Sequence, residues 1–73
     1  MPKLGIFSGR ELRRILEQEG FVMARQRGSH MVMQKRVATG TVTVPVPDHA
    51  TVRIGTLQSI IRQSGCNREK FTR

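Results

Sequence analysis

The sequence predicts an α+β fold: helix, three strands, helix, with the strands in one antiparallel sheet and both helices on one face of it. Three observations predict this. Apolar residues recur at helical spacing near each end, at Leu12, Ile15 and Leu16 and again at Leu57, Ile60 and Ile61. Between these segments the pattern changes to period two, most cleanly in Thr41-Val42-Thr43-Val44. The strand segments are joined by connections too short for a crossover, which leaves an antiparallel meander. Three strands expose two faces, and two short helices cover only one of them.

Each element has its own signal. Ser8 followed three residues later by Glu11 has capping-box spacing. The helix it opens runs from about Gly9 to Glu19, and Gly20 supplies the stop. Phe21 to Gln26 reads as the first strand, and Arg27-Gly28-Ser29 as a turn. His30 to Arg36 is the second strand, with Met31 and Met33 on one face and His30, Val32 and Gln34 on the other. The pattern leaves open which face is buried. Val37 to Gly40 is a second turn. Thr41 to Val44 is the third strand, which Pro45 and Pro47 are expected to end before an Asp48-His49 loop. Gly65 stops the second helix, and Asn67 is placed to cap a short last turn that buries Phe71. The stripes Leu12-x-x-Ile15-Leu16 and Leu57-x-x-Ile60-Ile61 echo each other. Two amphipathic helices with glycine stops account for the echo without a duplication.

The chain has 73 residues, which bounds it to a single domain, 1–73, with a small core. Its 13 Lys and Arg against 5 Asp and Glu give a formal net charge of +8. Hydrophobic residues make up 37% of it, too many for a disordered basic tail. No apolar run approaches the ~20 residues that cross a bilayer, and no apolar h-region of a secretory signal is present. The single Cys66 cannot form an internal disulfide. The expectation is a cytoplasmic domain with no membrane association.

The charge is unevenly placed. Phe21 to Pro47 holds Arg25, Arg27, Lys35 and Arg36 and no acid, whereas Glu11, Glu17 and Glu19 cluster before it. Arginine predominates, and its planar fork matches phosphate bidentately. A polyanion is therefore the first partner to consider, and nucleic acid the first polyanion.

Few residues could carry chemistry. No His, Cys and Asp group has metal-ligand spacing, so no metal is expected. No GxxxxGK[ST] loop is present. Ser29 beside His30 is not a hydrolase pair, because neighbours in a strand point to opposite faces. His30 opens a strand inside the acid-free basic stretch. Histidine exchanges protons near neutral pH. RNA carries its own nucleophile, the 2′-hydroxyl, so a base that deprotonates it needs no cofactor. The plain alternative for His30 is a surface residue at a strand edge. His49 reads as a loop residue, Met23, Met31 and Met33 as core filling, and Cys66 as a small residue after a helix stop.

Two motifs carry a resemblance. Arg25-Gln26-Arg27-Gly28-Ser29-His30 resembles the first signature of the HicA (YcfA-like) mRNA interferase toxins. Val42-Thr43-Val44-Pro45 followed by Gly55-Thr56-Leu57-x-x-Ile60-Ile61-x-Gln63-x-Gly65 resembles the second. The likeness runs from about Ser8 to Phe71. Two positions depart from the family's pattern: Gln58, where a basic residue is frequent, and Ser64, where alanine is usual. The resemblance implies a double-stranded-RNA-binding-like α-β-β-β-α fold and metal-independent cleavage of mRNA. It also implies neutralisation by a cognate HicB-like antitoxin. It maps the catalytic histidine onto His30, flanked by Gly28 and Ser29. The expected RNA contacts are then Gly28 and Ser29, which position the phosphate, and Arg25, Arg27, Lys35 and Arg36, which hold the strand. The alternative is a non-cleaving RNA-binding module that blocks translation.

Overall fold

The computed structural model describes residues 3–73; Met1 and Pro2, which the single-domain expectation included, lie outside the described residues. The element order is α1 (Gly9–Gln18), β1 (Val22–Arg27), β2 (His30–Val37), β3 (Gly40–Pro47), α2 (Ile54–Ser64) and a short 3₁₀ turn, η1 (Arg68–Phe71). The three strands form one antiparallel sheet in the order β1-β2-β3. The α-β-β-β-α architecture read from the sequence is the one observed.

The caps set the helix ends. The Ser8 Oγ accepts from the Glu11 N–H at 3.1 Å, and the Glu11 carboxylate accepts from the Ser8 N–H at 2.9 Å. Two of the helix's otherwise unpaired donors are thus satisfied reciprocally. At the other end Gly20 takes a positive φ of 95°. The Gly20 N–H then donates to Glu17 O and the Phe21 N–H to Leu16 O. This is a Schellman arrangement, and its usual apolar contact is supplied by buried Leu16 and Phe21. Helix α2 lacks a side-chain cap at Arg53 and ends on Gly65 in the left-handed region. Asn67 caps η1 through its side-chain oxygen, and Phe71 is fully buried, both as the sequence suggested.

Both helices lie on the face carrying Met31 and Met33. The core joins Leu12, Leu16, Phe21, Met31, Met33, Val44, Val46, Leu57, Ile60 and Phe71. The chain ends close over one side of it: Gly5 N–H donates to Phe71 O at 2.9 Å, and Leu4 bridges Thr72. The Arg73 guanidinium lies 4.3 Å from the centre of the Phe7 ring and reaches the Glu11 carboxylate at 2.6 Å. The backbone N–H of Ser8 and the charge of Arg73 hold the Glu11 carboxyl below its usual range.

One sequence expectation is corrected. Pro45 does not end the third strand, which runs on through it and ends at Pro47, before the expected Asp48-His49 loop. The register explains why. Val37 and Gly40 close a two-residue hairpin, so hydrogen-bonded pairs fall at every second rung from there. Pro45, opposite Val32, and Pro47, opposite His30, occupy the rungs between them. Their nitrogens face away from β2 on an edge strand, where no N–H is needed.

Candidate active site

The open face of the sheet is built by cross-strand rungs, whose members project to the same side. His30 is flanked by Arg27 on β1 and Pro47 on β3. The next rung on this face is Arg25, Val32 and Pro45, and beyond it come Val22, Gln34 and Thr43. Val32 is only 7% exposed although no helix covers it. It sits in the central strand, flanked on its rung by Arg25 and Pro45.

A β-bulge decides where the arginines point. The register steps from Met23 opposite Met33 to Arg25 opposite Val32, leaving Ala24 as the extra residue. Simple alternation would put Met23, Arg25 and Arg27 on one face, and Met23 belongs to the covered one. The additional residue reverses the parity and turns Arg25 and Arg27 to the side of His30. The Gly28-Ser29 turn that follows needs a positive φ only at Gly28, 58°, as in a type II′ hairpin. The Gln26 side chain supports it by donating to Gly28 O at 3.2 Å. Ser29 O accepts from the Asp48 N–H at 2.6 Å, which ties the turn to the chain leaving β3.

The candidate residues do not all gather. Arg25, Arg27, Gly28, Ser29 and His30 share one end of the sheet. Arg36 is on the same face but six residues along β2 from His30, or roughly 20 Å. Lys35 has the opposite parity, faces the helix side, and places its ammonium 5.8 Å from the centre of the Phe21 ring.

His30 also lines a groove of about 510 Å³ between the β3 edge and α2, within the size range of small-ligand sites. Pro45, Pro47, Val52 and Ile60 give it apolar walls. His49, Arg53, Thr56, Ser59 and Gln63 add polar groups from the loop after β3 and from α2. Sequence reasoning missed these contributors, because they come from segments far from the Gly28-Ser29-His30 motif. One signal was available. Gly9 is an unfavourable residue for the first turn of a helix. It is buried there, and a Cβ on it would overlap the Pro47 carbonyl oxygen. Its N–H donates to His49 O at 2.9 Å. The glycine therefore admits the close approach of α1 to the loop that carries His49.

Charge is segregated between the two sides. The ion pairs join Arg10 to Asp48, Arg13 to Glu17, Lys70 to Glu19 and Arg73 to Glu11. Among the described residues none of these pairs involves Arg25, Arg27, Arg36 or Arg53, so the positive charge of the open face is not offset by them. A second cleft, along α1, contains Arg10, Arg13 and Arg14 but also Glu17 and Asp48. Among the described residues no group of three His, Cys, Asp or Glu is placed to hold a metal ion. No described helix is long and apolar enough to cross a membrane.

The fold and site define a small basic α-β-β-β-α domain with a histidine and exposed arginines on one open sheet face. A family model described as the HicA toxin of bacterial toxin-antitoxin matches residues 9–66. The chain belongs to this family of toxins from toxin–antitoxin systems. No curated protein matches the chain at a significant level.

Proposed function

We propose that the protein is an endoribonuclease that cleaves mRNA without a metal ion, and that a HicB-like antitoxin restrains it. The reading rests above all on His30, which is exposed at the rim of a groove beside arginines that, among the described residues, pair with no acid. Arg25 and Arg27 would hold the phosphates of the strand on the open face. His30, as a neutral imidazole, accepts the proton of a 2′-hydroxyl. The freed oxygen attacks the adjacent phosphorus, and the extra negative charge forms within reach of fixed cations. Gly28 and Ser29 set the position of His30 through their turn. Family membership supports the toxin role and the existence of an antitoxin partner. Acidic antitoxin side chains are expected against Arg25 and Arg27.

The test incubates the purified protein with labelled mRNA in EDTA, beside His30→Ala. Cleavage by the parent alone, with a 2′,3′-cyclic phosphate on the upstream fragment, is the expected result. RNA bound but uncut by both proteins would replace this reading with a module that blocks translation by binding. A 5′-phosphate on the downstream fragment would point to attack by water instead.

A further inference from the structure

We propose that His49 is the second proton-transfer group of this reaction, the acid that protonates the departing 5′-oxygen. The inference rests on the ribonuclease reading above and adds to it the residue that completes the proton balance. Attack by a 2′-oxygen needs a base on one side of the phosphorus and a proton source on the other, because the leaving 5′-oxygen is a poor leaving group as an alkoxide. One imidazole cannot hold both positions in a single displacement.

The geometry supplies the second imidazole. His30 and His49 line the same groove, and both are exposed to it. His30 pairs with Pro47, and the pairing continues one step further through the Asp48 N–H donating to Ser29 O. His49 follows in the loop, two residues beyond the strand partner of His30, and its ring lines the same groove. A phosphodiester lying in that groove would have one imidazole on each side of it. The loop is fixed at Asp48 by Ser29 O and at His49 by the Gly9 N–H, and on its far side the Val52 N–H donates to Phe7 O. The His49 carbonyl makes that second bond, which leaves the imidazole available.

The rest of the groove wall offers no competing acid. Thr51, Thr56, Ser59 and Gln63 do not exchange protons near neutral pH. Arg53 also lines the groove, where its guanidinium would serve as a phosphate partner. The step then balances. The His30 ring takes the 2′-hydroxyl proton, the O2′–P bond forms, and the P–O5′ bond breaks. The His49 imidazolium gives its proton to O5′. The products are a 2′,3′-cyclic phosphate and a 5′-hydroxyl, and solvent restores both rings.

The experiment compares two RNA oligonucleotides at the mapped cut: the natural one, and one with sulfur in place of the bridging 5′-oxygen. A thiolate departs without protonation. His49→Ala and His49→Gln are each expected to slow cleavage of the natural RNA roughly 10²–10⁴-fold. On the sulfur-bridged RNA both are expected to return to within about tenfold of the parent, whereas His30→Ala stays slow on both substrates. Parental rates for the His49 variants on natural RNA overturn the proposal. So does equal impairment on both substrates, which is the mark of a structural role, or rescue of His30→Ala instead. A parent that cuts neither RNA overturns the ribonuclease reading and this inference together. A parent that cuts both confines any failure to His49.

Discussion

The two faces of the sheet use the same three strands for opposite purposes. On the covered face Met31, Met33, Val44 and Val46 meet Leu12, Leu16, Leu57 and Ile60, and all are at most 2% exposed. On the open face Arg25, Arg27 and His30 are exposed, and only Val32 and Pro47 are buried there. Apolar area removed from water, about 25 cal/mol per Å², stabilises the first face. Nothing comparable holds the second, so its side chains are free to be chosen for what they bind. The fold's stability and the site's chemistry are thereby separable, residue by residue.

Substitutions on each face test that separation, and the largest effect belongs to the open one. His30→Ala is expected to lower RNA cleavage roughly 10²–10⁴-fold with an unchanged melting temperature. A parallel loss of stability would show that the faces are coupled. Met33→Ala addresses the covered face, where truncation of a fully buried methionine costs about 2–5 kcal/mol. Urea unfolding measures it, and a cost below about 1 kcal/mol would mean the core collapses around the gap.

Gly9→Ala lies where the two faces meet. The added methyl must displace the Pro47 carbonyl, so a loss of about 1–3 kcal/mol is expected from overpacking. Because the His49 loop moves with it, cleavage should fall as well, a combination that neither earlier variant gives. The double change Arg25→Gln and Arg27→Gln should leave the melting temperature unchanged. It should make the slope of log affinity for single-stranded RNA against log salt about 1.4 shallower, or ~0.7 for each phosphate that is no longer neutralised. An unaltered slope would place the RNA elsewhere, with the α1 cleft the next surface to examine.

The smallest effect concerns Glu11. Its carboxyl is held low in the folded protein, first by the Ser8 backbone N–H and then by Arg73. A depressed folded value stabilises above the unfolded one, and that contribution disappears as pH falls through the folded value. The melting temperature of the parent should therefore decline through the acid range, and that of Glu11→Gln less steeply. Parallel curves for the two would remove Glu11 from the account. The group is solvent-exposed, so the difference is expected to be slight.

Much of this was legible from residue types. The Ser8–Glu11 box, the Gly20 and Gly65 stops and the Gly28-Ser29 turn are local devices, written within four or five residues. Where the sequence misled, a partner strand was involved. Pro45 looks like a strand breaker, and it breaks nothing because β3 is an edge strand on which its nitrogen faces away from β2; the strand runs on to Pro47. Lys35 looks equivalent to Arg36, and it lies on the other face. The site divides in the same way. His30 and its turn stand in one contiguous motif, whereas Arg53 and the α2 side chains join it through the packing of α2 against β3, and His49 through the bonds of its loop to Ser29 and Gly9.

The sequence by itself determined the element order, the antiparallel connectivity, the basic middle and the histidine at the start of β2. These follow from hydrophobic periodicity, short connections and composition, all of which are properties of neighbouring residues. Tertiary structure decided which face would be buried, that Ala24 would be squeezed out of register, and that two histidines nineteen positions apart would line one groove. A strand's period fixes only which residues share a side. Whether that side meets helix, solvent or ligand depends on groups the local chain does not contain, and a single extra residue in one strand reverses the outcome for everything after it.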